Sequence, residues 1–329
     1  MNLRRAGKRI LKVSAAIFVA ALALLFLYGA TKANLKKPPP TLLLLDKYGA
    51  YIGEVNCSHS APLGYWRLTH VPPRVAAACL AAEDRRFWSH PGVSPRAVLR
   101  ALLQNYRSGR HVSGASTLAM QIARLQTPGA RTYLRKSAEA MTAFLLTVRY
   151  GRRAILSHYL QIAPFGNRIR GIAYAAQRYF DKPAKDLTWA EAALLMAIPQ
   201  SPGRMNLYSS KGRSLACQRG KRILDSLFKE GYIKDAEYEL AQKHIGRLFP
   251  LERPKTPLAA LHVLQRYQTM LITERTRLKS PIVQTTISLA AQKKAQQTLR
   301  SYVDRWQGLG VTNGAVMVIG RDGSVLLSV

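Results

Sequence analysis

Glu83 and Asp84 are adjacent carboxylates closing an alanine-rich apolar run. Phe87, His90 and Gly92 follow them in the stretch AAEDRRFWSHPG. Alanine runs favour helix, and carboxylates at a helix C-terminus sit at the wrong end of its dipole. Helix stability therefore does not explain their position. On a helix Leu80, Glu83 and Phe87 fall at i, i+3 and i+7, on one face. Apolar neighbours would partly desolvate Glu83 and raise its pKa towards the range useful for proton transfer. Asp84 points about a quarter turn away, and His90 lies where the helix must stop. The plainer alternative is a solvated helix end.

Two further stretches carry chemistry. Gly114-Ala115-Ser116-Thr117-Leu118-Ala119-Met120-Gln121-Ile122-Ala123-Arg124 opens a helix with Ser116 as candidate N-cap. Free N–H groups at such a start suit an anion; an ordinary Ser-capped helix is the alternative. Arg131, Arg135 and Glu139 then form an i, i+4, i+8 row, with Lys136 three before Glu139. Leu134, Ala138, Met141, Leu145 and Val148 mark a stripe expected to be buried beside it. The row reads either as surface ion pairs of about 0.2–0.5 kcal/mol each or as cations for a pyrophosphate steadied by one acid.

These residues need a scaffold. The 329 residues suffice for one large or two ordinary domains, and 48% hydrophobic content supports a sizeable core. Fifty Lys+Arg against 17 Asp+Glu give +33, which calls for an anionic partner. Residues 13–30, VSAAIFVAALALLFLYGA, carry no charge and follow Arg4, Arg5, Lys8, Arg9 and Lys12. This is a membrane anchor with a positive-inside flank, longer than the apolar part of a cleaved signal peptide. The body then lies outside the cytoplasm, which directs the charge to lipids and lipid phosphates and away from nucleic acid. Cys57, Cys79 and Cys217 are too few and too scattered for a disulfide framework or a metal-ligand pair.

Lys36-Lys37-Pro38-Pro39-Pro40 is a stiff spacer. TLLLLDKYGAYIGEV (41–55) reads as a β-hairpin. From Pro72-Pro73 the chain is expected to be helical to about residue 247. That stretch includes a capping box at Thr188-Trp189-Ala190-Glu191 and two basic helices over 208–247 broken at Gly231. Residues 256–279 suggest another helix, and 281–289 a strand entering a helix. Residues 314–329 suggest two strands around Asp322-Gly323. A lone hairpin is marginal in water, so the tail reads as the cut-short start of a second domain.

In order, E-D-x-x-F-x-x-H-x-G (Glu83 to Gly92), G-x-S-T-x-x-x-Q (Gly114 to Gln121), R-K-x-x-E (Arg135 to Glu139) and I-L-x-x-Y-L (Ile155 to Leu160) resemble the peptidoglycan glycosyltransferases. This is glycosyltransferase family 51, as found in class A penicillin-binding proteins. Residues 171–202 are similar to that family's closing segment, and the likeness covers roughly 41–250. The tail from about 281 resembles the approach to a transpeptidase domain. That domain's Ser-x-x-Lys motif would lie beyond residue 329, so transpeptidation is not expected. Ala115 stands where the family commonly has a second Gly, Arg124 where it has Lys, and Gln161 where it has Asn; these put rate more than reaction type in question.

The resemblance implies a mainly α fold. A lysozyme-like glycosyltransferase domain (69–250) would follow a basic tail (1–12), a transmembrane helix (13–30), and a spacer with β-hairpin (31–68). A helical linker (251–280) and a truncated α/β start of a second domain (281–329) would come after it. It further implies that lipid II and a growing glycan strand are the substrates and that Glu83 is the general base. Glu139 would be a second acid that orients cations or helps hold a divalent ion, Mg or Mn. Ser116, Thr117, Gln121, Arg124, Arg131, Arg135 and Lys136 would meet sugar or phosphate, and Asp84, Phe87 and His90 would complete or brace the site. The expected location is the bacterial inner membrane, single-pass, with the body periplasmic among membrane lipids and other cell-wall synthesis proteins. A non-catalytic scaffold that binds glycan or partners, and a glycan-cleaving enzyme of the same fold family, are the rival readings.

Overall fold

A computed structural model describes residues 2–38, 40–56, 64–96, 116–130, 132–252, 257–274 and 280–329. Helix α1 (Asn2–Lys32) contains one segment, Lys12–Lys32, whose length and mean hydropathy of 2.3 suit a membrane crossing, and it is almost wholly unburied within the protein. Apolar side chains facing outward over that length are what a bilayer requires and what water disfavours.

Strands β1 (Thr41–Leu45) and β2 (Tyr51–Asn56) form the expected antiparallel hairpin. Their third partner is the strand expected near residue 281, whose pairing was not foreseen. Strand β3 (Ile282–Gln284) lies parallel to β1, from Leu43 opposite Ile282 to Leu45 opposite Gln284. Asp46 helps hold the junction, accepting from the backbone N–H of Tyr48 (2.8 Å), Ala50 (2.8 Å) and Leu289 (3.2 Å). Leu42, Leu44, Ile52 and Val55 share a small core with Ala260, Val263 and Ile287. Hairpin, linker helix and tail strand are therefore packed together despite their distance in sequence.

The helical body comprises α2 (Pro73–Glu83), α3 (Leu118–Gln126), α4 (Tyr133–Ile162), α5 (Ile172–Phe180), α6 (Trp189–Ala197), α7 (Ser210–Lys229) and α8 (Asp235–Ile245). Helix α6 runs through its centre, with Ala190 to Ala197 all buried. The alanines of α2 and α6 let the two helices pack closely, which fixes where α2 ends. The capping box is present: Thr188 Oγ1 accepts from Glu191 N (3.3 Å) and Glu191 Oε2 accepts from Thr188 N (2.8 Å). Thr188→Ala is expected to lower stability by about 0.5–2 kcal/mol, read as an earlier thermal transition with unchanged far-ultraviolet dichroism.

Two expectations fail here. Of the stripe on α4, Leu134 is 74% and Val148 65% exposed; the buried residues are instead Thr142, Ala143, Leu146 and Thr147. Met141 and Leu145 are only partly buried, against Gly29 of α1. The first half of α4 packs on α1 and α3, so its covered face is set by those partners and not by the helix's own apolar period. The helix also breaks at Gly151, where φ is 77°. The second correction concerns 208–247: α7 is basic, but α8 carries Asp235, Glu237 and Glu239 against Lys243 and His244.

Beyond the body, a single helical turn (Leu258–Ala260) leads into α9 (Leu261–Glu274). Helix α10 (Leu289–Trp306) precedes a two-stranded sheet of β4 (Met317–Ile319) and β5 (Val325–Ser328). The wholly buried Gln292 of α10 ties this end together, accepting from Ser328 N (2.9 Å) and donating to Ala259 O (2.9 Å).

Candidate active site

Glu83 is the last residue of α2, and its side chain is 10% exposed. Both carboxylate oxygens are held. Gln121 Nε2 of α3 donates to Oε2 at 2.8 Å, and Arg219 Nη2 of α7 donates to Oε1 at 3.1 Å. Gln121 is oriented in turn by the phenol of Tyr159 on α4, which donates to its Oε1 at 3.2 Å. Burial pushes the Tyr159 phenol well above its usual range, so it stays a donor. Burial also raises Glu83, the direction read from the sequence, but not through the helix face expected there: α2 ends at Glu83, and Phe87 lies in a separate helical turn (Phe87–Ser89). The Gln121 amide and the Arg219 and Arg124 charges pull the other way. A carboxylate oxygen has two lone pairs, so each still has one free to take a proton.

Asp84 and His90 form the brace beneath. Asp84 Oδ1 lies 3.0 Å from His90 Nε2, and Asp84 Oδ2 accepts from Leu118 N, the first residue of α3, at 3.2 Å. This carboxylate therefore meets a helix N-terminus, where the dipole favours it. Arg152 Nε donates to His90 O (3.0 Å), and Thr117 Oγ1 donates to Gly92 O (2.5 Å).

These contacts revise several assignments. The N-cap of α3 is Thr117, whose Oγ1 accepts from Met120 N at 3.2 Å, and not Ser116, which precedes it half-buried. The side chains of Asp84, His90, Thr117 and Phe87 are 8% exposed or less: Asp84 and His90 are paired in the brace read from the sequence, Thr117 is taken up as the cap, and Phe87 lies in the core. Gln121 is likewise committed to Glu83 and Tyr159. Arg124 in the last turn of α3 is half-buried, and Lys136 is exposed. Arg135 Nε reaches Glu139 Oε1 at 3.3 Å, the pair read from the sequence. Among the described residues no hydrogen bond or ion pair joins that pair to Glu83. Arg131 and Cys57 lie outside the described residues.

Arg219 is the residue the sequence reading missed. It is one of six Lys or Arg in α7, which hid it. Its helical position was nonetheless informative, since Ala216, Arg219 and Ile223 share a face and both apolar members are buried. Gly220 helps bring α7 in: a Cβ there would stand 2.5 Å from Ile245 Cδ1 of α8.

Mg typically binds one or two carboxylates together with substrate phosphates. Glu139 supplies one carboxylate, already facing Arg135, and no three His, Cys, Asp or Glu side chains gather among the described residues. These residues do not by themselves fit a resident Mg or Mn ion.

Nearby, His158 is buried beside Gln126, whose amide, turned over, links Asn34 O, Lys36 N and His158 Nε2. Burial, helped by the Lys37 charge, pushes His158 down to about 4. The unfolded imidazole titrates near 6.5, so between about 6.5 and 4 the unfolded chain binds the extra proton. Stability is expected to fall as pH drops through that window. His158→Gln should flatten this part of the melting-temperature profile, and an unchanged slope would count against the assignment.

The chain belongs to the transglycosylase family, whose sequence profile matches residues 49–228. It is 32% identical to penicillin-binding protein 1A of Aquifex aeolicus over 277 residues, covering 82% of this chain and 36% of that protein. It is also 32% identical to penicillin-binding protein 1C of Escherichia coli over 246 residues, covering 74% and 30%. Penicillin-binding protein 1A of Haemophilus influenzae is 35% identical over 219 residues, covering 66% and 25%. The chain thus spans about a third or less of the length of these relatives. The crystal structure of the Haemophilus influenzae protein aligns with 87% of this chain and 33% of its own, at 20% identity and a TM-score of 0.42.

Proposed function

We propose that the chain is a peptidoglycan glycosyltransferase that polymerises lipid II into β-1,4-linked glycan and releases undecaprenyl pyrophosphate. The carrying observation is Glu83: a buried carboxylate, held at both oxygens, in a chain of the transglycosylase family. As the acceptor's 4-hydroxyl oxygen bonds to the donor's anomeric carbon, its proton passes to Glu83. The anomeric carbon–oxygen bond breaks on the opposite face, and its electron pair leaves with the pyrophosphate. This inverts the α-linked donor to a β product. Charge grows on the leaving group, so fixed cations there lower the barrier; Arg124, Arg131, Arg135 and Lys136 are assigned to it, with Glu139 orienting Arg135. Ser116, at the mouth of α3, is assigned to sugar or phosphate.

Helix α1 would hold this site at the bilayer where the lipid-linked substrate resides, with the body on the periplasmic face of the inner membrane. Basic side chains near anionic lipid would add about 1 kcal/mol each. The test is detergent-purified chain given lipid II, with finished peptidoglycan offered in parallel. Glycan polymer from lipid II supports the reading. Digestion of peptidoglycan would replace it with a glycan-cleaving enzyme, and inertness of the folded protein towards both would leave a scaffold.

A further inference from the structure

We propose that Arg219 is the positioning residue for Glu83, its guanidinium bridging Glu83 Oε1 and the Ala82 carbonyl so that the carboxylate is fixed at the end of α2. The inference deepens the reading of Glu83 as general base and rests on it. Three observations carry it. One nitrogen, Nη2, serves both acceptors, at 3.1 Å to Glu83 Oε1 and 3.3 Å to Ala82 O. The cation therefore caps the C-terminal end of α2, where a positive charge is favoured, and offsets the carboxylate the helix places there. Second, the Arg219 side chain is only 19% exposed, and its Nε is buried without a partner. Leaving a buried donor unpaired has a cost, so packing alone does not account for an arginine here. Third, it approaches from α7, while Gln121 approaches from α3. The two donors grip opposite oxygens and remove the carboxylate's rotational freedom, leaving defined lone pairs for an incoming hydroxyl.

The same contact governs protonation. Around Glu83, Arg219 and Arg124 favour the ionised form, and Gln121 adds a hydrogen bond to it; burial opposes them. Tyr159 and Cys79 are both held in their neutral forms by burial. Asp84, the adjacent carboxylate, is paired with His90. Removing the Arg219 charge leaves burial opposed chiefly by Arg124 and Gln121, so Glu83 must bind its proton at higher pH.

The experiment is the pH dependence of lipid II polymerisation for wild type, Arg219→Gln and Arg219→Lys. Alongside it, Glu83 is titrated directly by carboxyl NMR of isotope-labelled glutamate, its signal assigned by loss in Glu83→Gln. In Arg219→Gln the acid limb of kcat/KM and the NMR titration should both move up by about one pH unit or more. In Arg219→Lys, one ammonium keeps the charge but not the planar fork, and the shift should be smaller, with kcat lowered and KM little changed. A uniform loss across pH with the titration unmoved would reduce Arg219 to a packing residue and overturn the proposal. Should Arg219→Gln not fold, a Lys variant matching wild type in both limb and kcat overturns it equally. If wild type makes no glycan at any pH, the polymerase reading fails by itself. The NMR shift then still decides whether Arg219 controls Glu83.

Discussion

Glu83→Gln is expected to lower lipid II polymerisation by about 10²–10⁴-fold while the protein keeps its fold and its melting temperature within a few degrees. The substitution removes the proton acceptor and almost nothing else. The new amide oxygen can still accept from Arg219 Nη2, which now lies 3.1 Å from Oε1. Its NH2 would face Gln121 Nε2, which now donates to Oε2 at 2.8 Å, and two donors there repel. A half-turn of the Gln121 amide cures this by presenting its oxygen, and the Tyr159 hydroxyl can rotate to accept in place of donating. The flipped network keeps the contacts between Arg219, the new amide, Gln121 and Tyr159, and its cost is confined to the Tyr159 O–H, which gives up the acceptor it has now. Glu83→Gln also leaves the Arg219 guanidinium without its counter-ion; its 19% exposure and the retained contact to the amide oxygen limit that cost, which the shed desolvation of the carboxylate partly offsets. The check is polymer formed per unit time beside a thermal melt of the same preparation. A variant with wild-type turnover would remove Glu83 from its assigned role.

How much of this was legible beforehand follows the range of the interactions. The Thr188 capping box is contained within four residues, and the structure has it as read. The hairpin of β1 and β2 is likewise set by its own turn. Glu83 could be identified because the motif it opens, Glu83 to Gly92, is contiguous in the chain; the helix face expected to carry Leu80, Glu83 and Phe87 is cut short where α2 ends at Glu83. The Thr117 cap was missed by one residue, since Ser116 and Thr117 are both good caps and only the contact between Thr117 and Gly92 O chooses between them. The stripe on α4 failed because its burial depends on α1 and α3. Local pattern gave a strand near 281 and placed Arg219 on a buried face of α7, but neither pairing, β3 with β1 or Arg219 with Glu83, could be read from it. The partners are more than a hundred residues away, and a strand of three residues carries too little pattern to announce a register. What the sequence hid, in the site as in the fold, was the long-range partner.

Gly92→Ala should be the most damaging small substitution near the site. Gly92 has φ +96°, a region that L residues avoid at a cost of roughly 1–3 kcal/mol. The space is also closed: an added Cβ would stand 2.5 Å from both Ala143 O and Thr147 Oγ1. Ala143 O is a helix carbonyl that cannot retreat without distorting α4, and Thr147 Oγ1 can leave only by turning its side chain and giving up its 2.8 Å bond to that carbonyl. Overpacking of this kind adds roughly 1–3 kcal/mol. The loop must then lift away from α4. Gly92 O holds the α3 cap through Thr117, and His90 holds Asp84, so the displacement reaches the groups that place Gln121 against Glu83. The expected result is a melting temperature lower by roughly 5–15 °C, with polymerisation reduced even well below the transition. Gly49→Ala is the matched control. Gly49 has φ +88° but nothing within 4 Å of an added Cβ, so it carries the backbone strain without the collision. It should lose less stability and no activity. Equal losses in the two variants would mean that backbone strain alone matters and that the close approach of the Gly92 loop to α4 does not hold the site together.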